Sequence, residues 1–214
     1  MFALNYGQRP PGNPVGGTAH VADSARELSA FVDRVLAATG TSQVDIVGHS
    51  QGGMMPRYYM RFLGGTSKVH ALVGLVPSNH GTTAGGLATL AAAFPGGTAA
   101  LAAGCPACTD QFAGSPFMQR LNAGGDTEPG VSYTVITTRN DEVVTPYTSA
   151  FLSGPNVTDI VVQRQCARRH ARRCSRSSGA RGVDGAAGGP TSTALARGAA
   201  ATTPPARRRC SRRG

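Results

Sequence analysis

Gly48-His49-Ser50-Gln51-Gly52 is the stretch of this chain best suited to chemistry. It fits the G-x-S-x-G pattern, in which a nucleophilic serine sits on a sharp turn between a strand and a helix. Both contexts are written around it: QVDIV at 43 to 47 reads as a buried strand, and QGGMMPRYYMRFL from 51 reads as a helix. Gly48 and Gly52 flank the serine because a side chain on either side of so tight a bend would clash. The helix start brings the N–H of Gln51 beside Ser50, as an oxyanion donor at the positive end of the helix dipole.

Such a serine needs a base to take its proton and an acid to orient that base. The acid is expected just past a later strand. Asp141 meets this, three residues after VSYTVITT, with its neighbour Glu142 as the rival. The base is harder to place. His20 and His70 lie on apolar-patterned elements and read as structural, and His49 belongs to the elbow itself. His80 follows a strand but precedes the acid, which favours a structural role. His170 is the one histidine after Asp141, and it stands between arginine pairs in CARRHARRC, a poor setting for a base.

The elements that must position these residues alternate. FALNY at 2 to 6, QVDIV at 43 to 47, HALVGLV at 70 to 76, VSYTVITT at 131 to 138 and NVTDIVVQ at 156 to 163 read as strands. Apolar residues at spacings of 3, 4 and 7 predict one helix over 18 to 39, stopped by Gly40, and a second over 51 to 63. This pattern predicts an α/β fold with a mostly parallel sheet and helices on both faces. Residues 81 to 130 read as a Gly/Ala-rich excursion over the carboxyl edge.

Charge divides the chain in two. Residues 1 to 163 carry a formal charge of −2, whereas 164 to 214 hold 13 arginines and one acid, Asp184. The expected organisation is a domain over 1 to 163 and a basic low-complexity tail over 164 to 214. With Val183 and Leu195 as its large apolar residues, that tail is expected to be disordered. Its composition also matches a GC-rich gene read out of frame beyond about Gln163. The arginine clusters at 168–169, 172–173 and 207–209 could bind nucleic acid or anionic membrane nonspecifically. No recognition motif accompanies them, so no specific nucleic-acid partner is expected. There is no run of 18 apolar residues to span a membrane, and no signal peptide is visible at the start. Cys105-Pro-Ala-Cys108 and Cys166 make an odd count for which structural disulfide use is expected, with the pairing open, since no second C-x-x-C or βα context supports zinc or redox chemistry. Asn156-Val157-Thr158 fits a glycosylation sequon.

The motifs VDIVGHSQGGMMPRYYMRFL, GLVPSNHGTT, AGSPFMQRLNAGGDT and YTVITTRNDEVVTPY together resemble the class 2 lipases of the α/β-hydrolase superfamily, the small secreted actinobacterial type. The likeness runs from Phe2 to about Gln165. It implies carboxylic ester hydrolysis, acylglycerols as the lipid or ester substrate, no cofactor, a monomer and secretion. It also implies Ser50 as nucleophile, Asp141 as acid and the Gln51 N–H as oxyanion donor. Phe94, Phe112, Phe117 and Met118 become candidates for the acyl pocket, with core packing the alternative. Two departures from the family follow. Relatives carry the catalytic histidine in an acidic loop where this chain has CARRHARRCSRSS. They also carry an upstream strand ending in an HG motif, which supplies the second oxyanion donor. That strand lies between the equivalents of FALNY and QVDIV in the family's sheet. Without it, those two strands are expected to leave ladder groups unpaired and the chain to fold poorly, with little activity.

Overall fold

The computed structural model describes residues 1–9, 12, 14–93, 99 and 104–164, together with residues 193–198; for residues 90 and 193–198 it describes the backbone alone. Six strands form one sheet: β1 (Phe2–Asn5), β2 (Val44–His49), β3 (Val69–Leu75), β4 (Ser132–Thr137), β5 (Val157–Val161) and β6 (Thr193–Gly198). Their spatial order is β1-β6-β2-β3-β4-β5. β2, β3, β4 and β5 run parallel, and β6 runs antiparallel to both β1 and β2. The mostly parallel α/β sheet is therefore as the alternating pattern predicts.

Two corrections concern the tail. Thr193–Gly198 form a strand, whereas the whole tail was expected to be disordered. That strand stands between β1 and β2, pairing Ala3 with Leu195 on one side and Val47 with Leu195 on the other. The ladder expected to be open there is closed. β6 supplies the backbone donors and acceptors that both neighbours need. Residues 165–192 and 199–214, with His170, Cys174 and Cys210, lie outside the described residues.

Helix α1 (Val21–Thr39) buries Val21, Ala25, Leu28, Val32 and Val35, a stripe at three- and four-residue spacing. It ends at Gly40, whose left-handed backbone (φ 67°) lets its N–H reach the Leu36 carbonyl. Its start is fixed from far along the chain: Asp110 Oδ2 accepts the Val21 N–H at 2.8 Å. Helix α2 (Gln51–Phe62) packs against α1 and lies over β2 and β3, with Met54, Met55, Tyr59 and Met60 buried. α3 (Ala84–Ala92), α4 (Pro106–Asp110) and α5 (Pro116–Asn122) belong to the excursion between β3 and β4.

The core lies between the sheet and the α1–α2 pair. Val44, Ile46, Leu72, Tyr133 and Val135 point into it from successive strands. On the opposite face Val47, Val73, Ile136 and Ile160 are half-buried and Leu75 is exposed. α1 and α2 thus pack on the more buried face of the sheet. Among the described residues no helix is long and apolar enough to cross a membrane.

Candidate active site

β2 leads directly into the bend at Ser50. The serine has φ 51° and ψ −122°, a left-handed-side conformation that an L side chain rarely adopts. Its N–H donates to the Leu75 carbonyl at 2.9 Å, so the bend hangs from the end of the neighbouring strand. Val76, one residue further along, also has positive φ (46°), and its N–H donates to the Ile136 carbonyl at 2.8 Å. These are the two non-glycine residues with positive φ among the described residues, and they sit on adjacent strand ends. Each such residue costs roughly 1–3 kcal/mol and persists where its surroundings over-determine it.

The surroundings are glycine contacts. A Cβ on Gly48 would lie 1.9 Å from the Gly52 carbonyl oxygen, and one on Gly53 would lie 2.9 Å from the Gly48 oxygen and 3.1 Å from the Gly74 Cα. Absent those side chains, the first turn of α2 seats directly on β2 and β3. The first N–H groups of a helix have no acceptor within it, and that of Gln51 opens this one beside the serine. The Gln51 side chain is itself buried, and its Nε2 donates to the Gly17 carbonyl at 3.1 Å. This ties the bend to the loop after β1.

Asp141 follows β4 on the same carboxyl edge, with β3 between it and the elbow strand. Its Oδ1 accepts the N–H groups of Val143 (2.9 Å) and Val144 (2.6 Å), while among the described residues no donor reaches Oδ2. Glu142, the rival, is exposed and makes no such bonds. One carboxylate oxygen is thus fixed and the other is left for a partner.

None of the four described histidines is that partner. His20 Nδ1 lies 3.2 Å from Asp110, and His70 Nδ1 lies 2.8 Å from Asp45, both near the surface. His49 is exposed next to the serine. His80 Nε2 lies 3.1 Å from Asp126 Oδ1, and its Nδ1 lies 3.2 Å from the Ser149 carbonyl oxygen. A carboxylate and a carbonyl only accept, so the protonated ring can donate to both at once, whereas either neutral tautomer can donate to one.

Asp126 and Arg57 complete a network that sequence reading did not single out. Arg57 is 3% exposed on α2. Its Nε donates to the Asp126 carbonyl (3.0 Å), one terminal nitrogen to the Asn79 carbonyl (2.9 Å), and the other to Asn122 Oδ1 (2.8 Å). Burial, partly offset by Asp126, pulls its guanidinium down to about 10, still charged at neutral pH. The available signal was an arginine in mid-helix, one turn before Arg61 and among the apolar residues of α2, a residue type rarely buried unless paired.

The hydrogen bond to Asp126 raises the His80 pKa above the ordinary histidine value, against the opposing effect of burial. Burial pushes the Asp126 carboxyl up, but the bonds from His80 and the Ser153 N–H outweigh it and leave it lowered. Asp126's part of the stability is present above the ordinary aspartate pKa of about 3.9 and lost as pH falls through its lowered folded value. His80's part is complete below the unfolded pKa of about 6.5 and lost as pH rises through its raised folded value. Urea midpoints measured from pH 6 to 9 should therefore fall more steeply for the parent chain than for His80→Gln. Parallel curves would remove the imidazolium from the account.

The remaining wall comes from α4. Cys105 and Cys108 form a disulfide at its start, the structural use expected for these cysteines. Ala107 N–H donates to the Thr18 carbonyl at 3.2 Å, and Gln111 Oε1 accepts from Ser78 Oγ at 2.9 Å. α4 thereby joins the loop after β1 to the loop after β3. Of the four pocket candidates, Met118 is core and Phe117 stacks on Tyr58 with ring centroids 5.5 Å apart. Phe112 is presented at the surface, and Phe94 lies outside the described residues.

Parallel strands, a strained serine between strand and helix, and a carboxylate past a later strand on the same edge define an α/β-hydrolase fold. Residues 1–175 match the family Lipase (class 2), and the chain belongs to it. Over 32 residues it is 56% identical to a triacylglycerol lipase of Pseudarthrobacter phenanthrenivorans and to one of Burkholderia plantarii. That stretch is 15% of this chain and 10% and 9% of those relatives' lengths. Aspergillus fumigatus lipase B superposes with a TM-score of 0.57 at 21% identity, over 71% of this chain and 36% of that one. Mature Bacillus licheniformis lipase BlEst2 gives 0.52 at 19% identity, over 66% of each chain. At these identities the structural likeness speaks for the fold.

Proposed function

We propose that this chain carries the acylating half of a secreted, monomeric carboxylic ester hydrolase acting on acylglycerols, with Ser50 as nucleophile and Asp141 as the orienting acid. The observation that carries the reading is the backbone of Ser50, held at φ 51° beside the Gln51 N–H. In this reading the Ser50 oxygen attacks the ester carbonyl and the carbonyl oxygen becomes an oxyanion facing that N–H. The alkoxide leaves as the alcohol, taking a proton, and water then releases the acyl group as the acid. Asp141 Oδ2 is the free acceptor for the N–H of whichever imidazole relays those protons. Among the described residues no imidazole bonds to either residue, so hydrolysis by this chain is expected to be slow. Triad members act as a unit, and losing one forfeits most of the effect.

The test is stoichiometric labelling with a p-nitrophenyl alkylphosphonate, mapped by peptide mass, beside turnover of p-nitrophenyl butyrate. Slow labelling confined to Ser50, absent in Ser50→Ala, with turnover near buffer background, is the expected result. An adduct elsewhere, or none, would sink the assignment of the nucleophile. Fast turnover that disappears in His170→Ala would instead place the base in the tail and overturn the expectation of weak activity.

A further inference from the structure

Asp141 lies in a loop that packs through Val144, and one side chain from a different element grips the backbone of that loop. Thr82, in the loop after β3, is 2% exposed. Its hydroxyl donates to the Val143 carbonyl and accepts the Thr145 N–H at 3.2 Å. Its backbone is fixed on both sides, with its N–H donating to the Gln111 carbonyl (2.9 Å) and its carbonyl accepting from Ala113 N–H (3.0 Å). The residues so gripped are the turn on which Asp141 depends: Val143 and Val144 give it their N–H groups. Two neighbours shape the grip. A Cβ on Gly86 would lie 1.9 Å from the Val143 oxygen and 2.5 Å from Thr82 Oγ1, so α3 can approach only because that residue is glycine. Thr83 Oγ1 meets Thr145 Oγ1 at 2.6 Å one position further along.

We infer that Thr82 is a positioning residue for the acid. Its hydroxyl sets the 143–145 backbone, and that backbone in turn sets the direction of the Asp141 carboxylate. The inference rests on the reading of Asp141 as the acid; the grip itself is independent of it. The chemistry calls for a hydroxyl, since the site needs a donor toward a carbonyl and an acceptor for an N–H from one small buried group. Serine can supply both; valine, of the same shape, supplies neither.

Amide hydrogen exchange by NMR tests it. In Thr82→Val the Val143 and Val144 amides, which do not touch Thr82, should exchange about thirtyfold faster, the order expected for two lost neutral hydrogen bonds. Amides of β2, β3 and β4 should keep their protection, and Thr82→Ser should restore the parent pattern. In Asp141→Asn the Thr145 amide should stay protected, because its acceptor is Thr82. Unchanged Val143 and Val144 amides in Thr82→Val, loss shared equally with the core strands, or no rescue by serine would each overturn the inference. Phosphonate labelling reports separately on Ser50: an unlabelled serine in the parent chain sinks the proposed function while the exchange pattern still decides the role of Thr82.

Discussion

Gly48→Ala should cost the fold on the order of 3 kcal/mol and slow phosphonate labelling of Ser50 by more than tenfold. The new methyl would lie 1.9 Å from the Gly52 oxygen, 2.2 Å from its carbonyl carbon and 2.7 Å from the Gly53 nitrogen. All three are backbone atoms, so no side chain can rotate away. Relief requires α2 to lift from the sheet, and α2 buries ten residues from Gln51 to Met60. The Gly52 carbonyl is also poorly tethered along the helix, because the residue four positions on is Pro56, which has no N–H to give it. Any lift therefore begins at the turn carrying the Gln51 N–H, the proposed oxyanion donor. A domain's margin is about 5–15 kcal/mol, so the variant should still fold, with a lower urea midpoint and a displaced Ser50 hydroxyl. A labelling rate and a midpoint matching the parent would mean that the close approach of β2 and α2 is not what holds the serine.

Arg57→Met should destabilise the chain by about 3–5 kcal/mol, the usual cost of removing one member of a buried charge network. Methionine fills most of the volume, so the loss is electrostatic. It deprives the Asp126 carbonyl and Asn122 Oδ1 of donors, leaves the Asn79 carbonyl with Asn122 Nδ2, and leaves the Asp126 carboxylate with His80 and the Ser153 N–H. Arg57→Lys should recover only part of it, since three donors on a flexible stem do not match acceptors arranged around a planar fork. Urea titration at pH 7 reads both. A methionine variant within about 1 kcal/mol of the parent would show that the acceptors find water or each other.

What the sequence made legible was local. The elbow announces itself because its strand, glycines and helix are contiguous, and Gly40 marks the end of α1 by the same logic. The place of Asp141 just past β4 was legible from the strand pattern, and the donors that anchor its side chain are two and three residues away. The features that escaped depend on distant partners. Asp110 caps α1 from 89 residues downstream, and nothing near Val21 announces it. Arg57 draws its acceptors from positions 79, 122 and 126, in the loop after β3, the end of α5 and the loop that follows it. The strand at 193 to 198 was missed because Thr-Ala-Leu-Ala-Arg-Gly carries almost no β preference. Its two neighbours, each short of one ladder, define it instead.

The backbone at Ser50 has a consequence for anyone selecting improved versions of this chain. Glycine at position 50 adopts positive φ without penalty, so a library screened for heat resistance alone would be drawn toward discarding the hydroxyl. Durability and reactivity compete for the same residue. A screen that scores both at once should converge on changes far from the bend, leaving the strained serine untouched.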